Sequence, residues 1–450
     1  MSTLDRMQQP ASGPVRSFEF PEVDRRRLLN GIDLRVARLS RLPMVSVNLF
    51  VRAGEAGLSE QRAGLAVLTG DALEGGTQRR SGSELAEALE GLGARLGVST
   101  GWEGTSISLS CLADRLEEAL PLLAETFLEP DFPTEEVDRV REQELAAIRQ
   151  REMDPASLAS DEAVRRFFAA GQPYARPQGG TEASVSSVTR DHMRGYADAC
   201  YRPGEGGLVI VGDIDPNEAE ALALNCLGEW TGEPAGVAGF DPRPARQDRK
   251  IWVVDRPGSV QSEIRVGHVG TARDTPDYFP LSVANMLLGG TFTSRLNLNL
   301  REKNGFTYGV RSGFSFRSRP GPFQVSTSVG TEVTGTAVRE IMHELENLVA
   351  GGPTDEEVAA SRDFAAGIFG LQMETAGQIA SRVTQCVVYG LPDDYYHRYR
   401  DNVRAVTTEQ VADAARSHIR PSEAQIVVVG AADEIVGPLE ALGLGPVEVV

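Results

Sequence analysis

An α+β fold of two homologous α/β sandwich halves, each a mostly antiparallel sheet packed with helices and joined by a linker, is the architecture this 450-residue sequence predicts. Three observations carry it: an internal repeat, strand-like runs alternating with helical periodicity in each half, and one stretch between them where periodicity stops. Val188-Thr189 through Tyr201-Arg202-Pro203 to Val209-Ile210-Val211-Gly212 returns as Val406-Thr407 through Ile419-Arg420-Pro421 to Val427-Val428-Val429-Gly430, offset by 218 residues. Phe132-Pro133-Thr134-Glu135-Glu136-Val137 is matched by Gly352-Pro353-Thr354-Asp355-Glu356-Glu357-Val358 at a nearly equal shift, and Gly75-Gly76-Thr77 by Gly289-Gly290-Thr291 at 214. Three matches in one order, with slowly drifting offsets, mark a duplication.

Residues 1–20 have no apolar core behind a basic start and read as a mobile arm, ordered from about Phe18, rather than as a secretory signal. In the first half, residues 21–228, Met44–Val51 is β-branched and apolar and predicts a strand. Gly64–Leu73 and Ser83–Leu92 predict helices, and Arg95–Cys111 a hairpin-like strand pair. Leu116–Thr126 and Glu135–Met153 place apolar residues three and four apart, the second after a Pro133-Thr134 start signal. A helix over Arg190–Cys200 then leads into a strand over Gly207–Val211. In residues 229–249 Gly, Pro and charge replace the pattern, which predicts a linker, and the order resumes from Ile251 in a second half spanning residues 250–450.

Composition excludes several classes of function. A formal net charge of −19 argues against general nucleic-acid binding, which concentrates Lys and Arg on one face. Leu208-Val209-Ile210-Val211 and Ile426-Val427-Val428-Val429 read as buried strands, far short of the roughly 20 apolar residues that span a bilayer, so no membrane insertion is expected. Cys111, Cys200, Cys226 and Cys386 lie far apart without CxxC spacing, which suits free thiols in a reducing compartment and a cytoplasmic location.

Chemistry enters with a short frame, Ala63-Gly64-Leu65-Ala66 followed by Gly76-Thr77. Together with the repeat, the frame resembles the M16 (pitrilysin/insulinase-like) metallopeptidase superfamily, over roughly residues 22–440. Members carry an inverted zinc motif, H-x-x-E-H, inside such a frame; a helix puts the two imidazoles on one face, and the Glu serves as general base. Here the five positions read Val67-Leu68-Thr69-Gly70-Asp71. Val67 and Asp71 stand in place of the histidines and Gly70 in place of the base. The family's third ligand, counted back from Asp154-Pro155, falls on Ala147, and all five histidines follow residue 191. The resemblance therefore implies no metal in this chain. His343-Glu344 opens like H-E-x-x-H, but position 347 is Asn, and His343 reads as a polar position on a helix over Val338–Val349.

The second half keeps Leu300-Arg301-Glu302-Lys303-Asn304-Gly305-Phe306-Thr307-Tyr308, preceded by Ser294-Arg295-Leu296. This resembles the L-R-E-K-x-G-x-x-Y segment of family members that complete an active site in trans. Gly305 is expected to end the helix carrying Arg301, with Tyr308 beginning a strand. One cationic and one phenolic donor suit a peptide carbonyl oxygen as it gains negative charge. The resemblance implies a non-catalytic subunit, inert alone, that closes as a clamshell over an extended peptide with an HxxEH-bearing, zinc-holding partner. A structural core-type subunit and a peptide-binding homodimer remain open beside it.

Overall fold

The structure, a computed structural model, describes residues 18–204, 206–233 and 239–450. The first six strands are β1 (Asp24–Arg27), β2 (Asp33–Arg38), β3 (Met44–Val51), β4 (Arg95–Thr100), β5 (Thr105–Leu112) and β6 (Gly207–Gly212). They form one sheet in the order β1-β2-β6-β3-β5-β4. The second sheet holds β7 (Lys250–Asp255), β8 (Gln261–Val269), β9 (Val310–Phe314), β10 (Pro322–Gly330), β11 (Gln425–Gly430) and β12 (Val447–Val449), in the order β12-β7-β11-β8-β10-β9. The predicted α+β class with two mostly antiparallel sheets is what the chain adopts. Among the described residues only β2 with β6, β7 with β11, and β7 with β12 pair in parallel.

The repeat survives in the register. β6 and β11 sit at the same place in their sheets, bounded by positions 218 residues apart, and all six residues of each are buried. Continuous apolar runs such as LVIV and IVVV belong in central strands covered on both faces, where alternation would put polar groups in a core. The sheets differ at one edge. β1 lies antiparallel to β2, whereas the end of the chain supplies β12, parallel to β7.

Each sheet packs one face on helices of its own half, including Leu116–Leu128 in the first and Thr334–Gly351 in the second. The other face is covered by a helix from the opposite half. Helix Pro155–Phe167 lies on β8 and β11, burying Phe167 and Ala163 against Trp252, Val269 and Val427. Helix Ala376–Tyr389 lies on β3 and β6, burying Ile379, Ala380 and Val383 against Ala37, Phe50, Val209 and Val211. The polar contacts reciprocate: Asn48 on β3 donates to Thr384 Oγ1 at 3.2 Å, and Arg265 on β8 donates to Ser160 Oγ at 3.1 Å. The hairpin tips meet as well, with Arg317 between Trp102 and Tyr174, 4.7 and 4.2 Å from their ring centres, and Ser318 N–H donating to Glu103 Oε1 at 2.8 Å.

Of the arm read over residues 1–20, residues 1–17 lie outside the described residues, while Phe18 and Phe20 pack on Phe369 and Tyr396 with ring centres 5.8 and 5.3 Å apart. Of the stretch 229–249, residues 234–238 lie outside, and farther along it the Arg243 carbonyl accepts the Ala169 N–H while the Ala245 N–H donates to the Phe167 carbonyl. All four cysteines are free; burial pushes the Cys111 and Cys386 thiols up to about 11. Among the described residues no helix is long and apolar enough to cross a membrane.

His268 lies within β8, 4% exposed. Its Nε2 accepts the Arg420 N–H at 3.0 Å, which leaves Nδ1 as the donor to the Val269 carbonyl at 2.9 Å. A second proton has no place there. Burial, reinforced by Arg420, lowers its pKa to about 3. A histidine whose folded pKa is depressed contributes stability that is complete above its unfolded pKa and is lost as pH falls below about 6.5. Between pH 7 and pH 5 this residue alone is expected to cost about 2 kcal/mol. Urea unfolding at both pH values should show that loss in the native chain and a correspondingly smaller one in His268→Gln; equal losses would refute the assignment.

Candidate functional site

The frame predicted from sequence opens helix Leu65–Asp71, and what starts this helix is unusual. Gly64, at its N-cap, sits at φ 85° with its Cα facing the Gly179 carbonyl so closely that an added Cβ would come within 2.5 Å of that oxygen. It offers no side chain to the helix's free N–H groups. Glu55, fully buried, supplies the acceptor instead: Oε1 takes the N–H of Ala66 at 2.9 Å and of Val67 at 3.2 Å, and Oε2 that of Gly64 at 3.1 Å. Arg176 closes the network, donating to Glu55 Oε2 at 3.1 Å and to the carbonyls of Glu55 and Leu58 at 3.2 and 3.3 Å. Burial, the larger effect, pushes the Glu55 carboxyl above the ordinary range, while Arg176 and the N–H groups pull against it.

Val67, Gly70 and Asp71 lie on this helix, and Ala147 lies on helix Thr134–Met153 packed against it. Asp71 reaches solvent, yet the protein around it and then Glu144 push its carboxyl up, with Arg139 opposing. The four positions do not fit a zinc ion, since only Asp71 among them offers a side-chain donor atom. Among the described residues no group of three or more His, Cys, Asp or Glu is arranged to hold a metal. The base position is also filled by its neighbours. A Cβ on Gly70 would lie 2.2 Å from Thr100 Oγ1, 3.4 Å from Thr100 Cβ and 3.5 Å from Val98 Cγ1, both residues on β4. Thr100 is held by Thr105, 3.0 Å between hydroxyl oxygens.

Gly→Ala inside a helix ordinarily stabilises by about 1 kcal/mol. At Gly70 the contact with β4 reverses the sign: Gly70→Ala is expected to destabilise by roughly 1–3 kcal/mol, as overpacked cores do. A rise in thermal midpoint for this variant would show that β4 yields freely and that the position is open.

Arg301 and Tyr308 lie in the other half, at the edge of the second sheet. Arg301 is on helix Asn297–Lys303, its guanidinium 3.8 Å from the ring centre of Phe292 and 3.5 Å from Glu302 Oε1. Gly305, at φ 66°, turns the chain out of this helix, as expected. The strand starts at Val310 rather than at Tyr308, because residues 307–309 close a small turn through the Thr307 side chain. Tyr308 is left on the turn, 97% exposed. Among the described residues no hydrogen bond joins Arg301 to Tyr308, nor either of them to the frame. β4 and β9, beside the two groups, are each the outermost strand of a sheet.

Sequence reading missed Glu55 and Arg176. The one available signal was a lone Glu in the otherwise uncharged stretch Ala53-Gly54-Glu55-Ala56-Gly57-Leu58, where an unpaired carboxylate would be costly once buried.

Fold and frame together define the class as that of the M16-type metallopeptidase fold. Residues 36–181 match the model of the insulinase family (peptidase family M16) and residues 187–364 that of the M16 inactive domain, together well over half of the chain. The chain belongs to the M16 peptidase family. It is 26% identical over 395 residues to the non-peptidase homolog YmxG of Helicobacter pylori, covering 86% of this chain and 89% of that one. An uncharacterized zinc protease of Mycobacterium leprae is 24% identical over 422 residues, covering 91% and 92%. The crystal structure of a peptidase M16 inactive domain from Pseudomonas fluorescens superposes with a TM-score of 0.85 at 28% identity, covering 91% of this chain and 98% of that one.

Proposed function

We propose that this chain is the non-catalytic subunit of a heteromeric M16-type zinc peptidase, inert alone and completed by a partner that carries HxxEH and the zinc. An extended peptide is held in the chamber between the two chains. Sheet edges such as β4 and β9 suit it, because an edge strand offers unpaired N–H and C=O groups to an added strand. Arg301 and Tyr308 act in trans, donating to the scissile carbonyl oxygen as it gains charge in the tetrahedral intermediate. The partner supplies the attacking water and its base. Free thiols suit a reducing, cytoplasmic setting.

The observation that carries this reading is an asymmetry between the halves. At the frame the base position is blocked by Thr100, whereas Tyr308 stands free on its turn at 97% exposure. Zinc analysis of the purified chain, with peptide cleavage assayed with and without the zinc-bearing partner, tests it. The expected result is no stoichiometric zinc, no cleavage by the chain alone and cleavage by the pair; zinc or unaided cleavage would sink the reading. A structural core-type subunit would leave cleavage by the complex indifferent to Arg301 and Tyr308. A peptide-binding homodimer would purify alone as a closed dimer retaining peptide.

A further inference from the structure

Tyr308 combines two properties that seldom go together: its side chain is almost wholly in solvent, yet the backbone on both sides of it is fastened from within the protein. On the upstream side, the N–H groups of Gly305 and Phe306 return to the carbonyls of Arg301 and Leu300 at 3.1 and 2.8 Å. Thr307 Oγ1 then donates to the Gly309 carbonyl at 2.9 Å and accepts the Gly309 N–H at 3.1 Å, closing the turn around Tyr308. That turn is anchored by Thr327 on β10, 5% exposed, whose hydroxyl lies 2.9 Å from Thr307 Oγ1 and 3.0 Å from the Gly309 carbonyl.

On the downstream side stands Asn297, 6% exposed, one turn before Arg301 on its helix. Its Oδ1 accepts the Val310 N–H at 3.2 Å and its Nδ2 reaches the Val310 carbonyl at 2.8 Å. The same Nδ2 lies 3.1 Å from the Thr291 carbonyl and 3.1 Å from Ser294 Oγ, so one amide ties the strand after Tyr308 to the loop that holds Phe292. Phe292 in turn lies under the Arg301 guanidinium. A solvated surface tyrosine needs none of this; ordering its flanks costs conformational entropy that an unused side chain never recovers. A donor that must meet developing charge without rearranging does need it.

We propose that Asn297 and Thr327 are positioning residues that hold Tyr308, and through the 291–294 loop the stack under Arg301, in a fixed presentation towards the partner's site. This rests on the trans-acting role proposed above. The clamp itself is separable from that role and is tested on the chain alone. Thr327→Val removes the hydroxyl at nearly constant shape, and Thr327→Ser keeps it. Amide hydrogen exchange of Gly309 and Val310 is expected to quicken by about five- to tenfold in Thr327→Val and to return in Thr327→Ser, with the thermal midpoint of the whole chain little changed. Unchanged exchange would overturn the clamp.

In the complex with the zinc-bearing partner, Thr327→Val is expected to lower kcat several-fold with KM nearly unmoved and to add nothing once Tyr308 is already Phe. Losses that add in full would overturn the positioning role. An inert Tyr308→Phe beside quickened exchange in Thr327→Val would instead retire the trans-acting reading while keeping the clamp. Asn297→Leu removes both the acceptor for the Val310 N–H and the donor to its carbonyl and is expected to quicken exchange at Val310; no change there would remove Asn297 from the proposal.

Discussion

Replacing Arg176 with methionine is expected to lower the stability of the chain by about 3–5 kcal/mol, the range seen when one member of a buried ion pair is removed. The reason is the carboxylate left behind. Glu55 is fully buried, and Arg176 is the cation beside it, with a side chain only 8% exposed. Without the guanidinium, Glu55 must take up a proton or remain as an uncompensated charge, and the carbonyls of Glu55 and Leu58 lose their donor. Removing both partners does not restore neutrality here as it does for many buried pairs, because Glu55 also caps the N–H groups of Gly64, Ala66 and Val67. Glu55→Leu with Arg176→Met should therefore recover only part of the loss. Urea and thermal unfolding of the three variants measure this; a loss below about 1 kcal/mol in Arg176→Met would show that water reaches the pair.

Arg301→Ala and Tyr308→Phe are each expected to lower turnover by the assembled peptidase by about one to three decades, as removal of a donor to a developing oxyanion does. The loss should fall on kcat, since a donor aimed at charge that exists only in the transition state adds little to ground-state binding. Folding should be spared. Tyr308 is 97% exposed and the phenyl ring of Phe replaces its own, so the stability of Tyr308→Phe should stay within about 0.5 kcal/mol of the native chain. Steady-state peptide cleavage by the complex, with thermal unfolding of the chain alone as control, decides it. Less than a twofold change at both positions would leave this half without a chemical role.

How far the sequence carried depended on whether the determining contact was local. Strand Met44–Val51 and helix Arg190–Cys200 have the bounds their patterns predict, the helix because Thr189 caps it through the His192 N–H. Thr407 repeats that cap at the offset of the duplication. β1, Asp-Arg-Arg-Arg, was invisible, since it has no apolar face and exists by pairing with β2. Helices Pro155–Phe167 and Ala376–Tyr389 have readable apolar faces, but periodicity names no recipient, and each serves the other half's sheet. At the site, the frame and the Arg301/Tyr308 segment were legible because they are contiguous. Tyr308 falls two residues short of its strand because Thr307 closes the turn around it and Thr327, on β10, anchors that turn. Glu55 and Arg176 are 121 residues apart and no spacing joins them.

The crossed helices also set a timetable for the nascent chain. β2, β3 and β6 are complete once Gly212 has been made, but the helix that covers Ala37, Phe50, Val209 and Val211 begins only at Ala376. At about 5–20 residues per second, the ribosome leaves that apolar sheet face bare for roughly ten to thirty seconds. The reverse order holds for the second sheet, whose covering helix Pro155–Phe167 is waiting before its first strand emerges. Stalled or truncated synthesis between Gly212 and Ala376 therefore releases a sticky intermediate, and a holdase that binds apolar sheet surface should find this chain during that interval and release it once the crossing is complete.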